Sequence, residues 1–134
     1  MRPGAFVRVL FPMRQVPVRP GLLHIGYVLG TAGDYAVVAY TTSQSWPADT
    51  PLPAGARVFD AAEAARLNQS RAFVLRVDIL ARLPLTRAWF PEIEQPGGGI
   101  VAIASAALRT EITRLATNLA RRRRELVDLR GPGV

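Results

Sequence analysis

Residues 22–41 read LLHIGYVLGTAGDYAVVAYT, and their patterning decides the fold class. Leu23, Ile25, Tyr27 and Leu29 take alternate positions, with His24 and Gly26 between them. A period of two is that of a strand with one face turned to a core. Residues 30–34 break the pattern, because glycine accepts positive φ and aspartate caps a turn locally. Residues 35–41 resume with β-branched and aromatic side chains, which predicts a second strand paired with the first.

Upstream, residues 6–11 form a short β-type run with Arg8 on one face. Pro12, Pro17 and Pro20 lack the N–H that a ladder needs, so residues 12–20 are predicted as a loop. Downstream, residues 43–55 carry Pro47, Pro51 and Pro53 and read as a long surface loop. Residues 56–59 suit a short strand, and residues 60–67 a turn or two of helix with Asp60 as N-cap. Residues 72–74 and 76–83 read as further strands, and residues 100–103 as a last short one. Between them Pro84, Pro91, Pro96 and the glycines at 97–99 mark a loop.

From Ser105 the period becomes helical. Leu108, Ile112, Leu115 and Leu119 make one apolar stripe, with Ser105 as N-cap and Gly131-Pro132 as stop. Past Leu119 the stripe continues only at Leu126 and Leu129, across the arginines at 121–124. Residues 120–134 are therefore expected as a helix end that projects or docks on a partner. The whole, residues 1–134, reads as one domain, mostly β with a C-terminal helix packed on a small curled barrel.

Composition narrows the class. The chain has no cysteine, which excludes disulfides, Cys-ligated zinc and thiol chemistry and fits a reducing, cytoplasmic setting. No stretch approaches the roughly 18 apolar residues of a membrane span, and residues 1–13 do not have the make-up of a signal peptide. Net charge is +7, and all 17 basic residues are arginine, as the coding bias of a GC-rich genome also produces. Residues 1–33 hold Arg2, Arg8, Arg14 and Arg19 and no acid. Such a surface attracts phosphate backbones without reading sequence. The glycines at 97–99 lack the lysine and the strand–helix setting of a phosphate-binding loop.

Several short motifs occur in a telling order. Gly4-Ala5-Phe6-Val7 leads to Phe11-Pro12, Arg19-Pro20 opens the second strand, and Thr41-Thr42-Ser43-Gln44 closes the third. Arg76-Val77-Asp78 follows on a later strand, and Gly99-Ile100-Val101 precedes the terminal helix. This ordered set resembles the PemK/MazF toxins over nearly the whole chain. Three departures are Ala5, where the family usually has an acid, the short loop over residues 13–18, which lacks the Gly-Ser-Glu-Gln type segment of many members, and His24, where the family is commonly apolar. The resemblance implies an SH3-like barrel of the CcdB/MazF type, a homodimer, and cleavage of single-stranded RNA, usually mRNA, without metal or other cofactor. It also implies an antitoxin protein that holds the toxin inactive.

RNA brings its own nucleophile, the ribose 2′-hydroxyl. A protein need only align it, stabilise the charge on the phosphoryl oxygens and manage two protons. By the resemblance, Arg19 is the catalytic arginine, whose rigid fork suits two phosphoryl oxygens. Thr42 is likewise the catalytic threonine, with a hydroxyl that donates to the same oxygens. Arginine is a poor base, so the base is sought at Asp78 or His24, while Arg76, Ser43 and Gln44 join them as RNA-positioning candidates. Each has a plainer alternative. Thr42 also suits a strand end, a lone strand histidine is commonly structural, and Arg76 and Asp78 share a strand face and can simply pair. Trp46 and Trp89 suit either base stacking or capping of the core.

Two rival functions stand beside the nuclease. One is a non-enzymatic module of the same fold that binds nucleic acid or a protein. The other is a topoisomerase poison of the CcdB kind, which needs a Trp-Gly-Ile type ending, whereas this chain ends Gly131-Pro132-Gly133-Val134.

Overall fold

The computed structural model describes residues 1–12, 20–43, 46–47, 49–119 and 124–128. In chain order they form β1 (Ala5–Pro12), β2 (Pro20–Ala32), β3 (Tyr35–Thr42), β4 (Ala56–Phe59), α1 (Ala61–Arg66), β5 (Phe73–Pro84), β6 (Ile100–Ile103), α2 (Ala106–Asn118) and β7 (Glu125–Asp128). The strands make one seven-stranded sheet in the order β4-β5-β3-β2-β1-β6, with β7 added beside β5. Every pairing is antiparallel except that of β5 with β7.

The front meander forms as its sequence pattern predicts, but the one-faced burial expected of β2 does not hold: Leu23 is 53% exposed, and Val28, on the face opposite Tyr27, is fully buried. Ala32 pairs with Tyr35, so the β2–β3 turn is the two residues Gly33-Asp34, with Gly33 at φ 57° as a hairpin turn requires. Gly26 is needed for a different reason. An added Cβ there would collide with the side chains of Val38 and Val9.

Both faces of the sheet are covered. On one, Phe6, Tyr27, Phe59, Phe73, Leu75 and Val77 pack beneath α1 and α2, which contribute Ala64 and Ile112. Phe6 meets the Tyr27, Phe73 and Phe59 rings edge-on at 5.0, 6.0 and 6.2 Å. On the other face, Val7, Val9, Val28, Val38 and Leu83 pack against Trp89 and Phe90 of the segment that follows β5. Burial on both sides explains why β1 is apolar at nearly every position. Both helices are capped as expected. The Asp60 carboxylate accepts from Glu63 N–H at 2.8 Å, and the Ser105 hydroxyl accepts from Leu108 N–H at 3.2 Å. Arg57 on β4 ties the helices together through Glu63 at 2.8 Å and Glu111 at 2.5 Å.

Four other expectations need correction. The sheet is not closed into a barrel: β4 and β6 are its ends, and no ladder joins them among the described residues. The expected loop over residues 12–20 is shorter at both ends, because Pro12 pairs with Pro20 and both belong to strands. Residues 73–84 form one strand rather than two. It is interrupted on the β3 side by a bulge, where Tyr40 faces Arg76 and Ala39 faces Leu80. The apolar stripe also does not carry the helix past residue 118. Residues 125–128 are a strand, parallel to β5 from Ile79 to Arg82.

The cause of the last correction is non-local. β4 pairs with β5 only as far as Arg76, so the backbone of residues 79–82 would otherwise lie unpaired on that side. β7 fills the vacancy, and Arg82 clasps Asp128 at 2.9 Å. Arg124, placed by sequence in a solvated arginine run, turns back and donates to the Ala116 and Leu119 carbonyls at 3.1 and 2.8 Å. It thereby closes the C-terminus of α2.

Candidate functional site

The start of β2 and the end of β3 share one end of the sheet. Tyr40, Thr41 and Thr42 alternate there. Thr41 is buried, and its hydroxyl donates to the Ile25 carbonyl, which locks the two strands together. Tyr40 and Thr42 point to the opposite face. Tyr40 lies across from Arg76 of β5, and Thr42 across from Val74. Thr42 and Arg76 are therefore diagonal neighbours, with backbones roughly 7–8 Å apart.

His24 joins this face from β2. Its ring lies 5.0 Å from that of Tyr40, which in turn lies 5.2 Å from Phe11. Burial among these rings pulls the His24 pKa below its usual 6.5, and a hydrogen bond to the Thr41 backbone pulls weakly the other way. The imidazole is thus neutral at pH 7 and can accept a proton.

Arg76 and Asp78 make a two-pronged ion pair. Nε donates to Oδ1 at 2.9 Å and Nη2 to Oδ2 at 2.7 Å. Asp78 is 8% exposed, and its bonds to Arg76 are the main cause that raises the Arg76 pKa further above its ordinary value. This pair lies against residue 55. Gly55 has φ 89°, its carbonyl accepts from Val77 N–H at 2.9 Å, and a Cβ there would stand 3.2 Å from the Asp78 backbone nitrogen. A side chain at 55 would crowd the strand just where the ion pair is built. The Trp46 ring lies 5.8 Å from the Arg76 guanidinium carbon and covers it from the loop side.

The structure thus gathers His24, Thr42, Arg76 and Asp78 around Tyr40. Asp78 is committed to Arg76, so of the two candidate bases His24 is the one with its ring on a cleft. Ser43 stands at the strand end, where it borders both the polar pocket of Arg8 and Arg71 and the groove of Trp46. Arg19 and Gln44 lie outside the described residues. No cluster of three or more potential metal ligands occurs among the described residues.

Three concavities meet near this end. An apolar cleft of about 560 Å³ runs between Phe11, Leu22, His24, Tyr40 and Val127. A polar pocket of about 410 Å³ on the other face holds Arg8, Thr41, Ser43, Gln69 and Arg71. A groove of about 570 Å³ is bordered by Trp46, Leu52, Val58 and Arg71. Sequence reasoning missed Tyr40, although it stands two positions before Thr42 and so shares its face. Trp46 over Arg76 left no signal in the sequence, because a loop residue has no periodicity. Among the described residues, no helix is long and apolar enough to cross a membrane. No protein-family model matches the chain, and no curated protein matches it significantly.

Proposed function

We propose that this chain is a metal-independent endoribonuclease of the PemK/MazF type, built on an SH3-like arrangement of its sheet and cutting single-stranded RNA in the cytoplasm. The observation that carries the proposal is the shared face of His24, Thr42 and Arg76. A neutral base and a hydroxyl donor share this face, beside an Arg76–Asp78 ion pair whose charges cancel and which therefore does not repel a phosphate.

In this reading His24 takes the proton of the ribose 2′-hydroxyl, and the oxygen attacks the adjacent phosphorus. The Thr42 hydroxyl donates to a non-bridging oxygen as charge builds there. Arg19, assigned by resemblance alone, supplies the charge opposite. The bond to the 5′-oxygen breaks, water protonates that oxygen, and the products are a 2′,3′-cyclic phosphate and a 5′-hydroxyl. Arg76 and Asp78 hold the floor of the site rather than exchange protons. A homodimer and a neutralising antitoxin belong to the same proposal. Leu22, 80% exposed on the wall of the apolar cleft, offers surface to either.

One observation favours a second reading, a non-catalytic binding module on the same sheet. The apolar cleft is large and has few polar groups, as binding pockets commonly do. Purified protein incubated with a long single-stranded RNA in EDTA separates the two. Cleavage that disappears in Arg19→Ala, Thr42→Ala and His24→Ala supports the nuclease. Intact RNA with salt-sensitive binding supports the module, and equal cleavage by parent and variants places the chemistry elsewhere.

A further inference from the structure

The two tryptophans have different fates. Trp89 is 8% exposed and packs in the core beside Phe90. Trp46 belongs to neither core cluster, although it is large and half-buried. Its indole N–H donates to the Thr50 carbonyl at 2.9 Å, which fixes the ring, and the Arg76 guanidinium lies over it. The same ring lines the groove it shares with Leu52 and Val58, which are 46% and 44% exposed. Arg71 stands at the edge of this groove, exposed and with no ion-pair partner among the described residues. Among the described residues, no carboxylate lines the groove. Val58 pairs with Val74, and Val74 pairs with Thr42, so the groove begins two strands from the Thr42 hydroxyl.

A fixed indole, an apolar floor, an unpaired cation and no acid together suit a flat ring that carries an anion. We propose that this groove is a subsite for one nucleotide of the RNA strand, next to the position cut at Thr42. The base stacks on Trp46 above Leu52 and Val58, and its phosphate meets Arg71. The identity of the strand rests on the endoribonuclease reading, whereas the stacking does not. Stacking on an aromatic ring tolerates any base, so the subsite adds affinity and register rather than a sequence code.

The test uses the full chain and a short single-stranded 2′-deoxyoligonucleotide, which lacks the nucleophile and cannot be cut. Its affinity is measured by fluorescence anisotropy, alongside an analogue with all bases removed. Trp46→Ala weakens binding of the intact oligonucleotide by roughly 10- to 100-fold, and Trp46→Phe recovers most of it. The abasic analogue binds parent and Trp46→Ala alike. Arg71→Gln lowers the slope of log affinity against log salt by about one. Unchanged affinity in Trp46→Ala, an equal loss on the abasic analogue, or no binding of the oligonucleotide by the parent overturns the subsite. Base-dependent binding by a protein that leaves RNA intact retains the subsite and sinks the nuclease. RNA cleavage with unchanged affinity in Trp46→Ala does the reverse.

Discussion

Replacing Asp78 by alanine removes the carboxylate that takes two hydrogen bonds from Arg76 and leaves the guanidinium under the Trp46 ring. The side chains of the pair are 19% and 11% exposed, so the pair is mostly, not wholly, withdrawn from water. Breaking one partner of a fully buried pair costs about 3–5 kcal/mol, whereas exposed pairs are worth about 0–1 kcal/mol. Two further features lower the figure here. Water reaches part of Arg76, and the charge of Glu125 also acts on it. The expected loss for Asp78→Ala is therefore about 2–3 kcal/mol, or roughly 6–12 °C in Tm for a chain of this length. Urea unfolding with linear extrapolation measures it. The double variant Arg76→Leu/Asp78→Leu is expected to lose less than the single one, because no charge is then left stranded. A single-variant loss below about 0.5 kcal/mol, or a double-variant loss equal to the sum of the singles, would refute the view of Asp78 as the anchor of Arg76.

Three more outcomes follow from particular residues. His24 has a folded pKa below its unfolded value of 6.5, so the unfolded chain binds its proton first as pH falls. Its contribution to stability is full above pH 6.5 and is lost as pH falls through the folded value. The urea midpoint of the parent should drop in this window, the drop should shrink in His24→Gln, and any RNA cleavage should have its acid limb below pH 6.5; identical pH profiles for parent and variant would count against this. Gly26→Ala drives a methyl into Val38 and Val9 and should cost about 1–3 kcal/mol by denaturation, and an unchanged midpoint would mean that the strands part without strain. Ser105→Ala removes the acceptor for Leu108 N–H and should cost about 1 kcal/mol, most of it restored by Asp at the same position, with circular dichroism and thermal melting as the readout.

The parts of the fold legible in the sequence were those set by local periodicity. The β2–β3 hairpin with its Gly33-Asp34 turn and the helical caps at Asp60 and Ser105 each depend on a few neighbouring residues. The one-faced burial expected of β2 was not legible, because the second layer also buries Val28 while Leu23 stays exposed. The pairing of Arg76 with Asp78 was also legible, because residues two apart on a strand share a face. β7 was not. Leu119 and Leu126 are seven apart, a helical spacing, yet the state of residues 125–128 is decided by the open flank of β5 some 46 residues earlier. Barrel closure depended in the same way on whether β4 meets β6. At the site, Thr42 and His24 were named from the sequence as candidates for different reasons, and their common face emerged only from the β2–β3 pairing. Trp46 reached Arg76 through a loop whose path no spacing rule describes.

The divided flank of β5 has a consequence for how the chain is made. β4 zips against the first part of β5 across a short intervening segment, but the second part waits for β7. While a chain is still being synthesised, the flank of residues 79–82 stays bare until residue 128 has been made. Pairing over that separation is slow because the loop must first close. During the delay, the bare flank of one nascent chain is a template for the same stretch of a neighbour on the same message. The folding yield of this protein is thus expected to depend on the arrival of β7, the last strand among the described residues, and to be more sensitive to crowded synthesis than its small size suggests.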